Sequence, residues 1–491
     1  MPLDDRPATA QFPLLTSAIC GAQLATPPAS MLGHFSNAGD GDALARWLLD
    51  LDTTGVSAVV VSADMLAYGG LVGSRTAATP LATARARVAA LARFHEMHPA
   101  VPLYVFATIM RLASTETPRT EAYLEALTDY ARNAGATPRS AAQNDALTAW
   151  RGQIPDDAFW DYIGARARDL DIDETLVRMA ESGDLRWLAI TQDDAGAPDG
   201  LQVSDQRTLN DEIRALRVGA RVIVAPGADE MGMVATTRAI EDALGWHPAI
   251  ALAYSDDRVA AAQDPLEDVA VGSTVSDVVR ELGASQTTGA PSYVFDVLAP
   301  STSAQARDRF IAQIADQLRA GTPTAIADLS FIDDDLAEER AGFEALQASG
   351  TGALPAAFAS WNSTANTVGT ALSAASCAAL AAHGHIDTSA ARENFLFDRY
   401  VDDYAYRLLV RPSLNATLRS EGIGTYALGA HESDAESRMR AALWPLAVDV
   451  FDAVFAGRGW VQNGLSMYYP WQRTFEIRLD TALTLRRAPG K

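Results

Sequence analysis

Short apolar runs alternate with amphipathic stretches along most of the chain. Each run ends in a polar or glycine-containing turn, and the stretches between runs place apolar residues three and four positions apart. The runs predict buried strands and the stretches predict helices, so we expect βαβ units around a mostly parallel sheet. The eight runs are 57–65, 102–110, 185–194, 220–230, 248–257, 292–300, 323–330 and 355–363.

The pattern predicts an α/β fold, and we favour a (β/α)8-like barrel over an open doubly wound sheet. Eight runs of similar length recur with helical stretches between them, of which 80–98 and 303–319 are the clearest. The long region 119–183 predicts a helical insertion. Because strand patterning fades after residue 363, we expect an α/β domain at 1–363 and a mostly helical region at 364–491.

The first residues, MPLDDRP, look like the end of a strand without its beginning. Leu3 runs directly into Asp4, Asp5 and Arg6. We therefore expect either a first strand of only two or three residues or a true start further upstream.

Composition narrows the class of ligand. The chain has 491 residues, with 39 Lys and Arg against 62 Asp and Glu, which gives a formal net charge of -23. Nucleic acids and anionic membranes are bound by clustered positive charge, so this balance argues against both. We expect a small-molecule or oligosaccharide substrate, and the sequence does not fix the oligomeric state.

The cysteines and the hydropathy predict a cytoplasmic protein. Cys20 and Cys377 are far apart and form no CxxC pair, which gives no sign of a zinc site or a disulfide framework. No apolar run reaches membrane-spanning length, and the N-terminus lacks the residue order of a signal peptide.

Polar residues gather where the predicted strands end. Because the carboxyl ends of parallel strands share one edge, we expect these side chains to converge. A single Asp after a strand also serves as a helix cap, but adjacent acidic pairs exceed what one cap needs. We predict that one cleft is lined by Asp5, Asp64, Arg111, Asp193, Asp194, Asp229, Glu230 and Asn362.

Other candidate substrate-binding residues flank the same predicted strands. In the stretch 62–75, two glycines open the backbone beside Tyr68 and Arg75, and a purely structural turn is the alternative. We also assign Arg6, Tyr254 and Asp256 to substrate binding.

The block FASWNSTANTVG combines an aromatic ring with two amides, as sugar sites often do. Trp361 supplies the flat apolar surface, and Asn362 and Asn366 lie four residues apart at a predicted helix start. The alternative places Trp361 in the core and uses Asn362 as a helix cap.

Crowded carboxylates raise the pKa of some members and keep a proton available near neutral pH. Three chemistries use this property: glycoside cleavage, binding of a hard cation, and aspartyl nucleophilic catalysis. Nucleotide-binding glycine motifs, HExxH and GxSxG are all absent from the sequence.

Several blocks together resemble a bacterial family, the domain of unknown function 4127 (DUF4127). They are PLDDRP, SADMLAYGGLVGSR, FATIMR, QDDAG, PGADE, YSDD and SWNSTANTVGT, in the same order over nearly the whole chain. The resemblance implies family membership and no particular activity. Family members usually begin with a full hydrophobic strand before the first block, and this chain lacks it.

A second resemblance concerns mechanism. Glycoside hydrolases similar to O-linked N-acetylglucosaminidases carry an Asp-Asp pair after the fourth strand of a barrel. The resemblance implies that Asp194 is the general acid and base and that Asp193 orients the substrate's 2-acetamido group, with Asp229 or Glu230 as the next candidates. It rests on fold-level similarity alone.

We therefore predict a sugar-active hydrolase without an organic cofactor. One alternative is a hydrolase or lyase that uses Mg²⁺ or Mn²⁺ bound by strand-end aspartates, although we assign no residue as a metal ligand. Another alternative is a non-catalytic protein that binds a sugar or metabolite.

Overall fold

The computed structural model describes residues 1–116, 120–299, 303–333 and 336–485. Each of the eight apolar runs contains a strand, so those predictions are confirmed. The strands are β1 (Val59–Ser62), β2 (Leu103–Ile109), β3 (Trp187–Gln192), β4 (Val222–Pro226), β5 (Ala249–Tyr254), β6 (Ser285–Gln286), β7 (Tyr293–Leu298), β8 (Thr324–Asp328), β9 (Ala357–Ala359), β10 (Trp460–Tyr468) and β11 (Arg478–Leu485).

Helices occupy the stretches between the strands and most of the C-terminal region. They are α1 (Phe12–Ile19), α2 (Gly41–Leu49), α3 (Ala63–Tyr68), α4 (Leu71–Ser74), α5 (Leu81–Met97), α6 (Leu124–Asn133), α7 (Ala141–Arg151), α8 (Asp156–Ser182), α9 (Leu201–Leu216), α10 (Met231–Leu244), α11 (Val271–Glu281), α12 (Ala304–Arg319), α13 (Leu336–Ala348), α14 (Thr364–His383), α15 (Ser389–Arg399), α16 (Arg411–Ser420) and α17 (Glu432–Val454). The region 119–183, predicted as a helical insertion, contains α6, α7 and α8. A π-helical segment, Tyr400–Val410, joins α15 to α16.

The chain divides into two compact units, each built from separate parts of the sequence. The first unit comprises Met1–Ala10, Ala25–Ala243 and Gln263–Val269, and the second comprises Gln11–Leu24, Leu244–Ala262 and Ala270–Lys491. The separation of 1–363 from 364–491 as folding domains stays a prediction.

In the first unit, β1 to β4 lie side by side in chain order and are all parallel. Residues in register on neighbouring strands, such as Val61, Val105 and Leu188, point to the same face. There they pack with apolar side chains of α5, α8 and α9 in one core. All the strand carboxyl ends therefore lie along one edge of this sheet.

In the second unit, five parallel strands follow the order β6-β5-β7-β8-β9. Ile326 and Phe358 on one face pack with Phe310 of α12 and Phe343 of α13. The helix α14 is buried along most of its length and contacts β8 and β9.

The α/β class with mostly parallel sheets is thus confirmed, whereas a closed (β/α)8 barrel is not shown. The parallel strands form two separate sheets, one of four strands and one of five. The described part of 364–491 is mostly helical, and it also contains an antiparallel hairpin of β10 and β11 that the sequence did not predict. Its strands are only partly buried, so the apolar alternation that marks a strand is weak.

The cysteine interpretation is wrong. Cys20 of the segment after α1 and Cys377 of α14 form a disulfide with Cα atoms 4.2 Å apart, inside the second unit. The two residues are 357 positions apart in sequence, so spacing gave no signal of their pairing. The cytoplasmic location stays a prediction.

Among the described residues, α14 alone is long and apolar enough to cross a membrane. Of its 18-residue apolar window, 83% is buried inside the protein. Such burial is typical of a core helix.

Candidate active site

Asp193 and Asp194 follow β3 and occupy different environments. Asp193 is buried, with 9% of its side chain exposed, and its Oδ2 accepts a 2.6 Å hydrogen bond from Nη2 of Arg75. Asp194 keeps 31% of its side chain exposed. Its backbone adopts the left-handed region, with φ of +34°, which few residues other than glycine occupy. The two carboxylates therefore point into different surroundings.

The pKa of Asp194 is raised to about 6. Burial contributes most, the charge of Asp193 adds to it, and Arg111 and Arg75 oppose it. Nη1 of Arg111 donates to Oδ2 of Asp194 at 3.2 Å. A carboxyl group with this pKa exchanges its proton near neutral pH, as a general acid or base must.

Arg6 links the start of the chain to the end of β4. Its Nη1 and Nη2 donate to the two carboxylate oxygens of Asp229 at 2.9 and 2.6 Å. Its Nε and Nη2 also bind Asp4. Burial opposes ionisation of Asp4, but the charge and hydrogen bonds of Arg6 outweigh it and lower the pKa of Asp4.

The Arg6 cluster lies within electrostatic range of Asp194, because the charge of Asp229 contributes to the raised pKa of Asp194. Glu230 is fully buried, and its Oε2 accepts a hydrogen bond from the Ala228 N–H in the turn before α10. Asp229 is therefore better placed than Glu230 to act beside Asp194.

Arg75 and Arg111 hold the loops of this region as well as the carboxylates. Arg111 donates to the carbonyl oxygens of Ala113 and Ser114. Nε of Arg75 is buried and has no hydrogen-bond partner among the residues that the structure describes. The two guanidinium groups lie close enough for the charge of Arg111, after burial itself, to lower the pKa of Arg75.

Asp64 and Tyr68 are buried, so neither is exposed to a substrate in this structure. Asp64 accepts hydrogen bonds from the backbone N–H and the hydroxyl of Thr108 at 3.0 and 3.1 Å. Burial and the charge of Asp169 raise the pKa of Asp64 to about 8. By contrast, Asp5 lies nearer the surface and contacts Nδ1 of His34 at 2.7 Å.

Sequence reasoning missed the buried charges of α8 beside Asp64. Arg166, Arg168, Asp169 and Asp173 are all buried within this helix. After burial, the charge of Asp169 raises the pKa of Asp64, and the charges of Asp64 and Asp169 raise the pKa of Asp173. The signal was present, since positions 166, 169 and 173 share a helical face with buried apolar residues.

Tyr254 and Asp256 lie in the second unit. Tyr254 ends β5 and is partly buried. Asp256 forms an ion pair with Arg258, whose hydrogen bonds lower the pKa of Asp256 to about 2.

Trp361, Asn362 and Asn366 also belong to the second unit. Asn362 Nδ2 donates to Oδ1 of Asn366 at 2.5 Å, so the two amides do share a face. The helix α14 is capped by Ser363 instead of Asn362, which has a φ of +58°. Trp361 is partly exposed and its Nε1 donates to Thr370. A cleft shared by Asn362 and Asp194 stays a prediction.

The second unit has a polar cluster of its own at the ends of β8 and β9. Arg407 of the π-helical segment donates to the Ser360 carbonyl oxygen and forms an ion pair with Glu339. Asp403 accepts from the Ser360 N–H at 2.8 Å. Burial raises the pKa of Asp328, at the end of β8, to about 6. Asp328 lies in the predicted strand run 323–330, but the sequence gives no sign of its distant neighbours.

No group of three or more His, Cys, Asp or Glu side chains in the described ranges is arranged to hold a metal ion. In the first unit, Asp4, Asp193 and Asp229 each accept hydrogen bonds from an arginine. These carboxylates already have cationic partners, which makes them a poor donor set for a divalent cation.

Comparison with known proteins identifies a family. No curated protein and no solved structure matches the chain. The family model described as protein of unknown function (DUF4127) matches residues 1–480. The match covers nearly the whole sequence, and the chain therefore belongs to the DUF4127 family.

Proposed function

We propose that the protein is a sugar-active hydrolase of the glycoside hydrolase type, with Asp194 as the general acid and base. The observation that carries the proposal is the contrast between two adjacent carboxylates. Asp193 is buried against Arg75, whereas Asp194 is partly exposed and has a pKa of about 6. Pairs of carboxyl groups whose environments separate their roles are typical of acid–base catalysis.

In this mechanism Asp194 donates a proton to the oxygen of the departing group. The same residue, once deprotonated, takes a proton from the attacking water in the second step. Adjacent residues lie too close together for the separated carboxylates of ordinary glycosidases. A substrate that supplies its own nucleophile, such as a 2-acetamido group, fits an adjacent pair, and Asp193 orients that group.

Asp229 serves as a neighbouring charge. Its bidentate pairing with Arg6 occupies both carboxylate oxygens, so it is less suited than Asp194 to exchange protons with substrate. After burial and the charge of Asp193, the charge of Asp229 adds a smaller contribution to the raised pKa of Asp194.

The test is a screen of aryl glycosides, including N-acetylhexosaminides, with the wild type and Asp194→Asn, each with and without EDTA. Asp211→Asn is a matched control, because Asp211 has a 63% exposed side chain on α9 and forms an ion pair with nearby Arg214. We expect hydrolysis by the wild type and by Asp211→Asn, and a loss of about 10²-fold in Asp194→Asn. Turnover that EDTA abolishes, or binding of a glycoside without turnover, would contradict the proposal.

A further inference from the structure

The loop that carries Arg75 is irregular, although Arg75 donates a 2.6 Å hydrogen bond to Asp193. The helix α4 ends at Ser74, and residues 75–80 have no regular structure before α5 begins. An irregular loop leaves a long side chain several conformations unless something else fixes its backbone.

Arg168 of α8 fixes this backbone by hydrogen bonds to its carbonyl groups. Its Nη2 donates to the Ser74 carbonyl oxygen at 2.5 Å. Its Nη1 donates to the carbonyl oxygens of Thr76 and Thr79 at 2.7 and 3.1 Å. The three carbonyl groups flank Arg75 on both sides, so one guanidinium group holds the segment on which Arg75 stands.

Arg168 is itself held firmly. Only 5% of its side chain is exposed. Its guanidinium carbon lies 4.1 Å from the centre of the Tyr68 ring, and Nε and Nη2 donate to Oδ1 of Asp169 at 3.1 and 2.7 Å. Stacking, an ion pair and three carbonyl contacts together define one orientation of the planar group.

We infer that Arg168 is a positioning residue that acts through Arg75 to hold Asp193 in place beside Asp194. Arg168 is buried and contacts carbonyl groups instead of open space, so it does not touch substrate. The inference rests on the proposed function for its catalytic consequence. Its structural part, the fixing of the 74–79 segment, is independent of any activity.

The test compares Arg168→Lys and Arg168→Met with the control Arg85→Lys. Lysine keeps the charge but presents a single ammonium group, which cannot reach three carbonyl groups in a fixed fork. Arg85 forms a partly exposed ion pair with Asp171 of the same helix α8, so its replacement tests nonspecific effects of altering that helix.

Amide hydrogen exchange on the full chain provides a readout that needs no substrate. We expect backbone amides of 74–79 to exchange at least about tenfold faster in Arg168→Lys than in the wild type and in Arg85→Lys, while exchange in the strands is unchanged. Carbon-13 titration of the Asp194 carboxyl group should shift in the same variant. If Arg168→Met does not fold, the results for Arg168→Lys alone test the positioning role of Arg168. Unchanged exchange and unchanged titration in a folded Arg168→Lys would overturn the inference.

Steady-state kinetics then distinguish a positioning role of Arg168 from a general effect on the stability of the fold. With an active substrate, Arg168→Lys should lower kcat by about tenfold or more with little change in KM, because misplaced catalytic groups affect the transition state more than binding. A fall in activity explained entirely by loss of folded protein would count against positioning. If the screen finds no turnover at all, the proposed function fails, and hydrogen exchange still decides the role of Arg168.

Discussion

At the scale of single residues, the environment separates two neighbours that the sequence makes look equivalent. Asp193 and Asp194 leave β3 in succession, and their side chains point to different partners, Arg75 and Arg111. Asp194 also has a left-handed backbone, with φ of +34°. Strain of this kind persists where surrounding contacts enforce it, and it recurs at active sites.

Replacement of Asp194 by Asn removes the carboxyl group that exchanges a proton and keeps the shape of the side chain. We expect kcat to fall by about 10²-fold or more, while the melting temperature stays nearly unchanged because the side chain is partly exposed. A glycoside with a very acidic leaving group needs little protonation and should lose less. Steady-state kinetics and thermal melts check both expectations, and equal losses on all substrates with a large drop in stability would indicate a structural role.

Asp296 offers a residue-scale test outside the candidate active site. It lies in the middle of β7, fully buried, and neither carboxyl oxygen has a hydrogen-bond partner among the described residues. Burial raises its pKa to about 7. The folded state therefore binds a proton that the unfolded state releases above about pH 4, and the free energy of unfolding falls as pH rises from 4 through 7.

Asp296→Asn should abolish the pH dependence of the free energy of unfolding that Asp296 causes. We expect wild type and variant to have similar stability at pH 5, and the variant to be more stable by about 2–4 kcal/mol at pH 8.5, where the wild type must bury a charge. Denaturant unfolding at the two pH values measures the difference. A variant less stable than the wild type at pH 8.5 would show that Asp296 has a favourable charged interaction.

Both carboxylates and both arginines were candidate site residues from the sequence, but which arginine pairs with which carboxylate was not predicted. A strand ending in adjacent aspartates was enough to single out Asp193 and Asp194, because strand carboxyl ends collect polar groups. Arg75 lies 118 residues from Asp193 and Arg111 lies 83 residues from Asp194, so each pairing depends on how β1, β2 and β3 are placed side by side. No local pattern encodes such a contact.

At the scale of elements, a clear hydrophobic pattern predicted the strands and helices correctly, whereas a mixed apolar and polar pattern did not. The buried strands β2 and β3 stand out as continuous apolar runs, as parallel strands buried on both faces do. The hairpin of β10 and β11 was missed because its faces are only partly buried. The buried charges of α8 were missed because charged residues on a helix usually face solvent.

The loop after β3 needs glycine at position 196. A Cβ atom there would collide with the carbonyl oxygen of Pro265, and the neighbouring Ala195 N–H donates to the Leu266 carbonyl oxygen at 2.8 Å. The 263–269 segment thus packs directly against the loop that holds Asp194. Backbone atoms cannot move aside as a flexible side chain does, so the loop itself must shift.

Gly196→Ala should therefore destabilise the protein by about 1–3 kcal/mol and reduce turnover. Gly219→Ala is the matched control, because a Cβ atom at that position meets only the Ile213 side chain, at 3.9 Å. Thermal melts and kinetics on both variants test the expectation. Equal behaviour of the two variants would show that the loop adapts without cost.

At the scale of the whole molecule, the formal charge of -23 overstates the charge of the folded chain near neutral pH. Burial raises the pKa of Asp398 and Asp169 to about 7 and that of Asp64 to about 8. These groups hold protons that the unfolded chain has released. Net charge therefore changes on unfolding, and stability must depend on pH.

The direction of this dependence follows from the raised pKa values. Because the folded state binds more protons than the unfolded state between about pH 4 and 8, the free energy of unfolding falls as pH rises through that window. We expect the melting temperature to be at least about 5 °C lower at pH 8.5 than at pH 6. Calorimetry in buffers of equal ionic strength measures the melting temperature at the two pH values. A melting temperature that rises from pH 6 to pH 8.5 would contradict the assignment of protonated buried acids.

The disulfide gives the second molecule-scale prediction. Cys20 and Cys377 are the only two cysteines of the chain, and their bond closes a loop of more than 350 residues. Closing so long a loop restricts the unfolded chain, which stabilises the folded state by about 3–5 kcal/mol. The bond persists in oxidising surroundings and is rare where thiols are kept reduced, so the redox state of the isolated protein reports on where it matures.

We expect protein isolated under conditions that block thiol exchange to contain no thiol group that reacts with iodoacetamide after denaturation. Reduction should lower its melting temperature by several degrees, because the unfolded chain regains the freedom that the bond removed. The double variant Cys20→Ser/Cys377→Ser should melt where the reduced wild type melts, and reductant should leave it unchanged. Two reactive thiols in the isolated protein, together with a melting temperature that does not respond to reductant, would mean that the buried cysteines serve only as packing residues.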